Sequence, residues 1–130
     1  MIAAEEEGDT LTQAELIANA VLLFFAGHET TTNLLGNGLL ALVRNPDELR
    51  RFRENPDLAE TAVEEMLRYD GPVGSVTRTA LEDIEIGGKT IAAGDRVFCM
   101  MNAANRDLHQ FEDTERLDIL REKNHHMIFG

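Results

Sequence analysis

Residues 16–32 read LIANAVLLFFAGHETTT, an apolar run that passes without a turn signal into a glycine, a His–Glu pair and three threonines. Thr12, followed three residues later by Glu15, forms a capping box ahead of it, each side chain able to satisfy the other's backbone amide. From there helical residues persist to Arg44, about 48 Å at 1.5 Å per residue. The middle of this helix is apolar on nearly every face, so it requires burial inside a protein larger than the helix itself. Into that greasy rod residues 27–32 set a polar notch. Gly27 lets another group approach the backbone. Thr30, Thr31 and Thr32 can bond back to carbonyls one turn earlier and loosen the helix. Glu29 supplies a proton carrier. The notch admits two accounts, a site or a crossing point where small residues touch another element.

Composition narrows the class. The chain has 130 residues, 43% hydrophobic and 28% charged, which fits a folded globular protein of one domain or part of one. A net charge of −12 argues against nucleic acid or an anionic membrane as partner. Cys99 is the single cysteine, so no internal disulfide forms, and a reducing compartment is expected. Residues 1–4 run into Glu5-Glu6-Glu7 rather than a leader pattern. The longest apolar run falls short of the ~20 residues of a bilayer span. A cytoplasmic protein without membrane contact is expected.

Along the chain, residues 1–11 read as an acidic, exposed lead-in. Asn45-Pro46 ends the long helix and starts a short one over 46–54, because Pro at the first helical position loses no needed amide. This segment and its approach hold Arg44, Arg50, Arg51 and Arg53, a basic island read mainly as a solvated helix face. Asn55-Pro56 repeats the device ahead of a helix over 57–69, with Leu58, Ala62, Met66 and Tyr69 near one face. After Asp70-Gly71-Pro72 the period becomes that of strands, with Gly87-Gly88 as a hairpin turn. Residues 73–101 are expected to form a small sheet and 102–130 a loop-rich stretch. The fold class is mainly α with a small β region, α+β by connectivity.

Other residues invite chemical readings. His28-Glu29 opens the His-Glu-x-x-His zinc pattern, but Thr32 stands where the second histidine belongs, so that reading is rejected. His109, His125 and His126 lack ligand spacing. Glu65 and Arg68, three apart, read blandly as a surface ion pair worth a few tenths of a kcal/mol, roughly. Arg78 lies in an apolar, hydroxylated strand, where a charge without an anionic partner is costly. Cys99 reads as a small buried hydrophobe.

In this order and spacing, Ala26-Gly27-His28-Glu29-Thr30-Thr31, Glu65-Met66-Leu67-Arg68, Ala104-Asn105-Arg106-Asp107 and Thr114-Glu115-Arg116-Leu117 resemble the haem-thiolate monooxygenases of the cytochrome P-450 family, in its soluble bacterial branch. The resemblance implies a partial fold of that family over 1–130, with haem as cofactor and dioxygen and a small organic molecule as substrates. A ferredoxin or similar protein would donate electrons. It implies that Glu29 and Thr30 relay protons, that Ala26 and Gly27 are small because haem and dioxygen press on the helix, and that Arg78 and His126 meet haem propionates. Leu22, Phe25, Val73, Gly74, Ser75 and Val76 would border the substrate. Glu65, Arg68 and Arg116 would form a salt-bridged triad, in a loop where Thr114 and Leu117 replace the usual Pro and Phe and leave it less constrained. The iron-ligand cysteine is expected beyond Gly130, so no metal ligand is assigned within the chain. The expectation is an internal piece of such an enzyme, inactive alone. Its rivals are a non-catalytic helical interaction module and a truncated gene product.

Overall fold

The computed structural model describes residues 5–6 and 9–129, with side chains described over 11–129. Residues 1–4, Gly8 and Gly130, on which the expectations about a leader, a lead-in glycine and the edge of a ligand loop fall, lie outside the described residues. Within the acidic lead-in, β1 (Glu5–Glu6) pairs antiparallel with β2 (Asp9–Thr10), where the sequence suggested no element.

The helix α1 (Gln13–Arg44) starts at the capping box: the Thr12 hydroxyl accepts from the Glu15 amide at 3.3 Å, and Glu15 Oε2 accepts from the Thr12 amide at 2.8 Å. It stops at Asn45, whose amide and side chain both bond back to the Ala41 carbonyl. Pro46 then opens α2 (Pro46–Glu54). A 3-10 turn (Pro56–Leu58) leads into α3 (Ala59–Asp70), so Pro56 starts a tighter turn and the α-helix proper begins after it.

Only the carboxy-terminal part of α1 is covered. Gly38, Ala41 and Leu42 are buried there, with α2 and α3 packed alongside. Ala41, Leu42, Ala62, Leu117 and Ile119 form the core, and Leu49, Phe52, Leu58, Met66 and Tyr69 pack against it. The expected α3 face thus does point inward. Upstream, α1 stands bare: Leu22 is 64% and Phe24 75% exposed. A helix apolar on all sides, covered at one end only, is what the sequence of a piece of a larger fold implies.

The strands after α3 form two further, separate antiparallel pairs. β3 (Val76–Thr79) lies against β6 (Arg96–Cys99), with Arg78 opposite Val97 and Val76 opposite Cys99. β4 (Ile84–Ile86) and β5 (Lys89–Ile91) form a hairpin closed by Gly87 and Gly88, both at positive φ (58° and 73°), which the tight turn requires and other residues resist. Neither pair has a covered face, and Cys99 is therefore exposed, not the buried hydrophobe expected of it. After β6, α4 (Met101–Ala104) is a single turn. No helix among the described residues is long and apolar enough to cross a membrane.

Candidate functional site

The tightest polar assembly centres on Glu65 and Arg68, and it is buried, not a surface pair: their side chains are both 0% exposed. Arg68 Nε and Nη2 donate to the two oxygens of Glu65 at 2.8 and 2.9 Å. Its remaining N–H groups reach the carbonyls of Asn105 (2.9 Å), Thr114 (3.0 Å) and Arg116 (3.1 Å). All five guanidinium donors are thereby used, which is what makes burial of the charge tolerable. Glu65 also accepts from the Asp118 amide, from Arg121 Nε at 3.0 Å and from Asn124 Nδ2 at 3.1 Å.

Here the expected triad needs correction. The second cation on Glu65 is Arg121, whereas Arg116 is exposed and joins only through its backbone carbonyl. Asp113, at φ 47°, turns the chain so that the carbonyls of 114 and 116 face Arg68, and this sends the Arg116 side chain outward. Thr114 and Leu117 are 4% and 1% exposed, so the departures from the usual Pro and Phe leave this loop buried and bonded, not slack.

The notch on α1 faces a cleft of about 520 Å³. Phe25, Ala26, Glu29 and Thr30 form one wall, and Pro72, Val73, Gly74 and Ser75 the other. Expected catalytic and substrate-bordering residues, more than forty positions apart in the chain, thus share one space. Asn33, not among the site residues expected from the sequence, lines it too, one turn beyond Glu29 on the same face, an i, i+4 spacing present in the sequence. Leu22 lies a turn before the cleft and is exposed, and Val76 begins β3, half-buried. The Thr30 hydroxyl donates to the Ala26 carbonyl at 2.8 Å, and Thr32 to that of His28 at 2.8 Å, the back-bonding expected of them. With its proton so used, Thr30 Oγ1 has only lone pairs left to offer the cleft.

A larger cleft, about 670 Å³, lies between α2 and residues 116–117. Among its arginines, Arg50 pairs with Asp47 and Arg51 with Glu48, one turn apart on α2. None of the residues expected to carry chemistry lines this larger cleft except Arg116.

Arg78 is exposed, and its Nη1 donates to the neighbouring Thr77 carbonyl at 3.0 Å. The open strand pair removes the burial cost inferred from its neighbours, and among the described residues it makes no ion pair. His126 is placed otherwise than expected. Its Nε2 lies 2.8 Å from Glu64 Oε2, and its Nδ1 accepts from the Ile128 amide at 3.4 Å, so both ring nitrogens are engaged within the chain.

A haem fits these surfaces in two respects. A Cβ on Gly27 would meet nothing within 4 Å, so the backbone at 26–27 is open to a flat apolar ring. Arg78 has donors to spare for an acid group. Those residues, with Thr30 and Glu29 beside them, could hold and serve the cofactor; His126 could do so only by giving up a bond it already makes.

Known proteins of one family are similar to this chain. The family model described as Cytochrome P450 matches residues 1–124. The chain is similar to the "Biotin biosynthesis cytochrome P450" of Bacillus subtilis, with 46% identity over all of this chain and 33% of the relative. It is 47% identical to the "Vitamin D(3) 25-hydroxylase" of Pseudonocardia autotrophica, over 98% of this chain and 32% of that one. Among solved structures, P450BioI in complex with a fatty-acyl carrier protein superposes at a TM-score of 0.91 with 48% identity, covering 95% of this chain and 32% of that chain. CYP109E1 from Bacillus megaterium with corticosterone gives 0.92 and 40%, covering 98% and 34%. The chain spans about a third of the length of these relatives.

Proposed function

Since the chain belongs to the cytochrome P450 family, we propose that its cleft between α1 and residues 72–75 is the oxygen and substrate side of a haem monooxygenase. The observation that carries this is the convergence of Glu29 and Thr30 with Val73, Gly74 and Ser75 on one space. The family's haem, when bound, supplies an iron centre that activates dioxygen with electrons from a redox partner, a ferredoxin or similar protein. With two electrons from that partner and two protons, one oxygen atom would enter an organic substrate and the other would leave as water.

The chain's own residues serve that chemistry in distinct ways. Ala26 and Gly27 keep the helix surface low, so a flat ring can lie against the backbone. Thr30, its proton held by Ala26, accepts a hydrogen bond at Oγ1 and orients the donor. The exposed carboxyl group of Glu29 carries protons from solvent to that point. Phe25 and Val73 keep the rest of the cleft apolar, which limits stray water. Arg78 offers its guanidinium to a propionate, and that role rests on Arg78 rather than on His126, whose ring is held by Glu64.

The test uses a polypeptide extended to the length of its relatives and loaded with haem. The ferrous carbon monoxide complex is expected to show the Soret band of a thiolate-ligated haem, and Thr30→Ala to divert reductant from product to hydrogen peroxide. A wild-type protein that takes up haem without that band would sink the proposal.

A further inference from the structure

We infer that Asn37 is a positioning residue for the substrate-bordering segment 72–76, setting how far that wall of the cleft stands from the Glu29–Thr30 face of α1. The inference rests on the function proposed above. Asn37 Nδ2 donates to the carbonyl of Asp70, the last residue of α3, at 3.1 Å. Carbonyls in a helix's last turn have no intrahelical partner, so Asp70 needs an outside donor. Gly71 follows in extended conformation (φ −63°, ψ 154°), and Pro72 takes the chain into the cleft wall. The bond therefore grips the wall at its root.

The side chain comes from the right face of α1. Thr30, Asn33 and Asn37 are spaced i, i+3 and i+7, which places them along one stripe. The stripe that lines the cleft thus runs on into the clamp. Beside it α1 and α3 pack tightly, so that a Cβ on Gly38 would come within 2.6 Å of Met66 Sδ. That packing sets the distance between the helices but leaves sliding along their axes to directional bonds. At the same root, Arg106 Nη2 donates to the Tyr69 carbonyl and Ile128 packs on Gly71, but both tie α3 to later parts of the chain. Further along, the Asn102 amide donates to the Gly74 carbonyl at 3.3 Å. Among the described side-chain hydrogen bonds, the one from Asn37 links α1 to this root.

The experiment uses the extended, haem-loaded protein with Asn37→Leu, which removes the donor while keeping the branching and the number of heavy atoms, and Asn37→Ser, which is smaller and serves if the bulkier leucine keeps the first from folding. Imidazole and 4-phenylimidazole are titrated as small and bulky iron-binding probes. Losing the bond is expected to change the ratio of their dissociation constants about three- to tenfold, while the thiolate-type carbon monoxide band remains. Hydrogen exchange at the amides of 73–76 is expected to quicken alongside. An unchanged ratio and unchanged exchange in variants that keep the band overturn the role of Asn37 and leave the function intact. Absence of the band in wild-type protein instead removes the function on which the role rests.

Discussion

Arg121 Nε donates to Glu65 Oε2 at 3.0 Å, beneath a carboxylate that Arg68 already grips with two parallel bonds. Arg116, five residues earlier, presents only its carbonyl to Arg68. The two arginines therefore differ in what their side chains contribute. Arg121→Ala is expected to cost about 1.5–3 kcal/mol, the range for hydrogen bonds to a charged group. Arg116→Ala should stay within about 0.5 kcal/mol, since alanine keeps the carbonyl. Urea unfolding of the extended protein checks this, and equal losses for both variants would contradict the assignment.

Replacing Arg68 by Lys keeps a charge but not the fork. An ammonium has three donors on one atom and cannot reach Glu65 and the carbonyls of 105, 114 and 116 together. Burial then leaves acceptors unpaired around Glu65, and a loss of about 3 kcal/mol or more is expected. Thermal unfolding of the two proteins side by side measures it. A Tm within a degree or two of wild type would show that the cluster tolerates rearrangement.

Gly71 is a packing requirement, not a matter of backbone freedom. A Cβ there would lie 2.4 Å from Ile128 Cδ1 and 2.5 Å from the Leu67 carbonyl oxygen. Ile128 can be trimmed, but the carbonyl belongs to the α3 backbone and cannot withdraw cheaply. Gly71→Ala is expected to destabilise by about 1–3 kcal/mol, and adding Ile128→Val should recover only part of it. Full recovery in the double variant, read from denaturant midpoints, would show that the carbonyl does yield.

Glu15 carries the pH dependence of the first turn of α1. Bonds from the Thr12 amide, then from its hydroxyl, hold this carboxyl below its ordinary value of 4.5. The depressed folded-state value means that the stabilisation is full above the unfolded value and fades as pH falls through the folded one. Acidification into that range should fray residues 13–16, seen as lower amide protection there once the intrinsic slowing of exchange at low pH is divided out. Glu15→Gln should flatten the response; a response unchanged by that substitution would place its origin elsewhere.

Much was written in the local pattern. The capping box at Thr12 and Glu15, the Asn-Pro breaks at 45–46 and 55–56, and the Gly87-Gly88 turn depend on neighbours a few residues apart. The bare apolar length of α1 was equally legible, since a helix greasy on every side states its need for cover whether or not the cover is present. Local chemistry also foretold that Thr30 and Thr32 would bond back along the helix.

What tertiary structure alone decided was which distant groups meet. No spacing rule distinguishes Arg116 from Arg121 as the partner of Glu65, because the choice depends on which side chain the folded loop turns toward α3. Nor could residue types show that Glu64 would occupy His126, or that strand pairs with no covered face would leave Arg78 and Cys99 in the open. Ion pairing and burial depend on direction in space, and direction is set by how the elements pack. The sequence determined that residues 27–32 interrupt a buried-type helix with polar groups. Packing placed residues 72–75 opposite them, with Asn37 bonded at the root of that wall, and so made the interruption one side of a cleft.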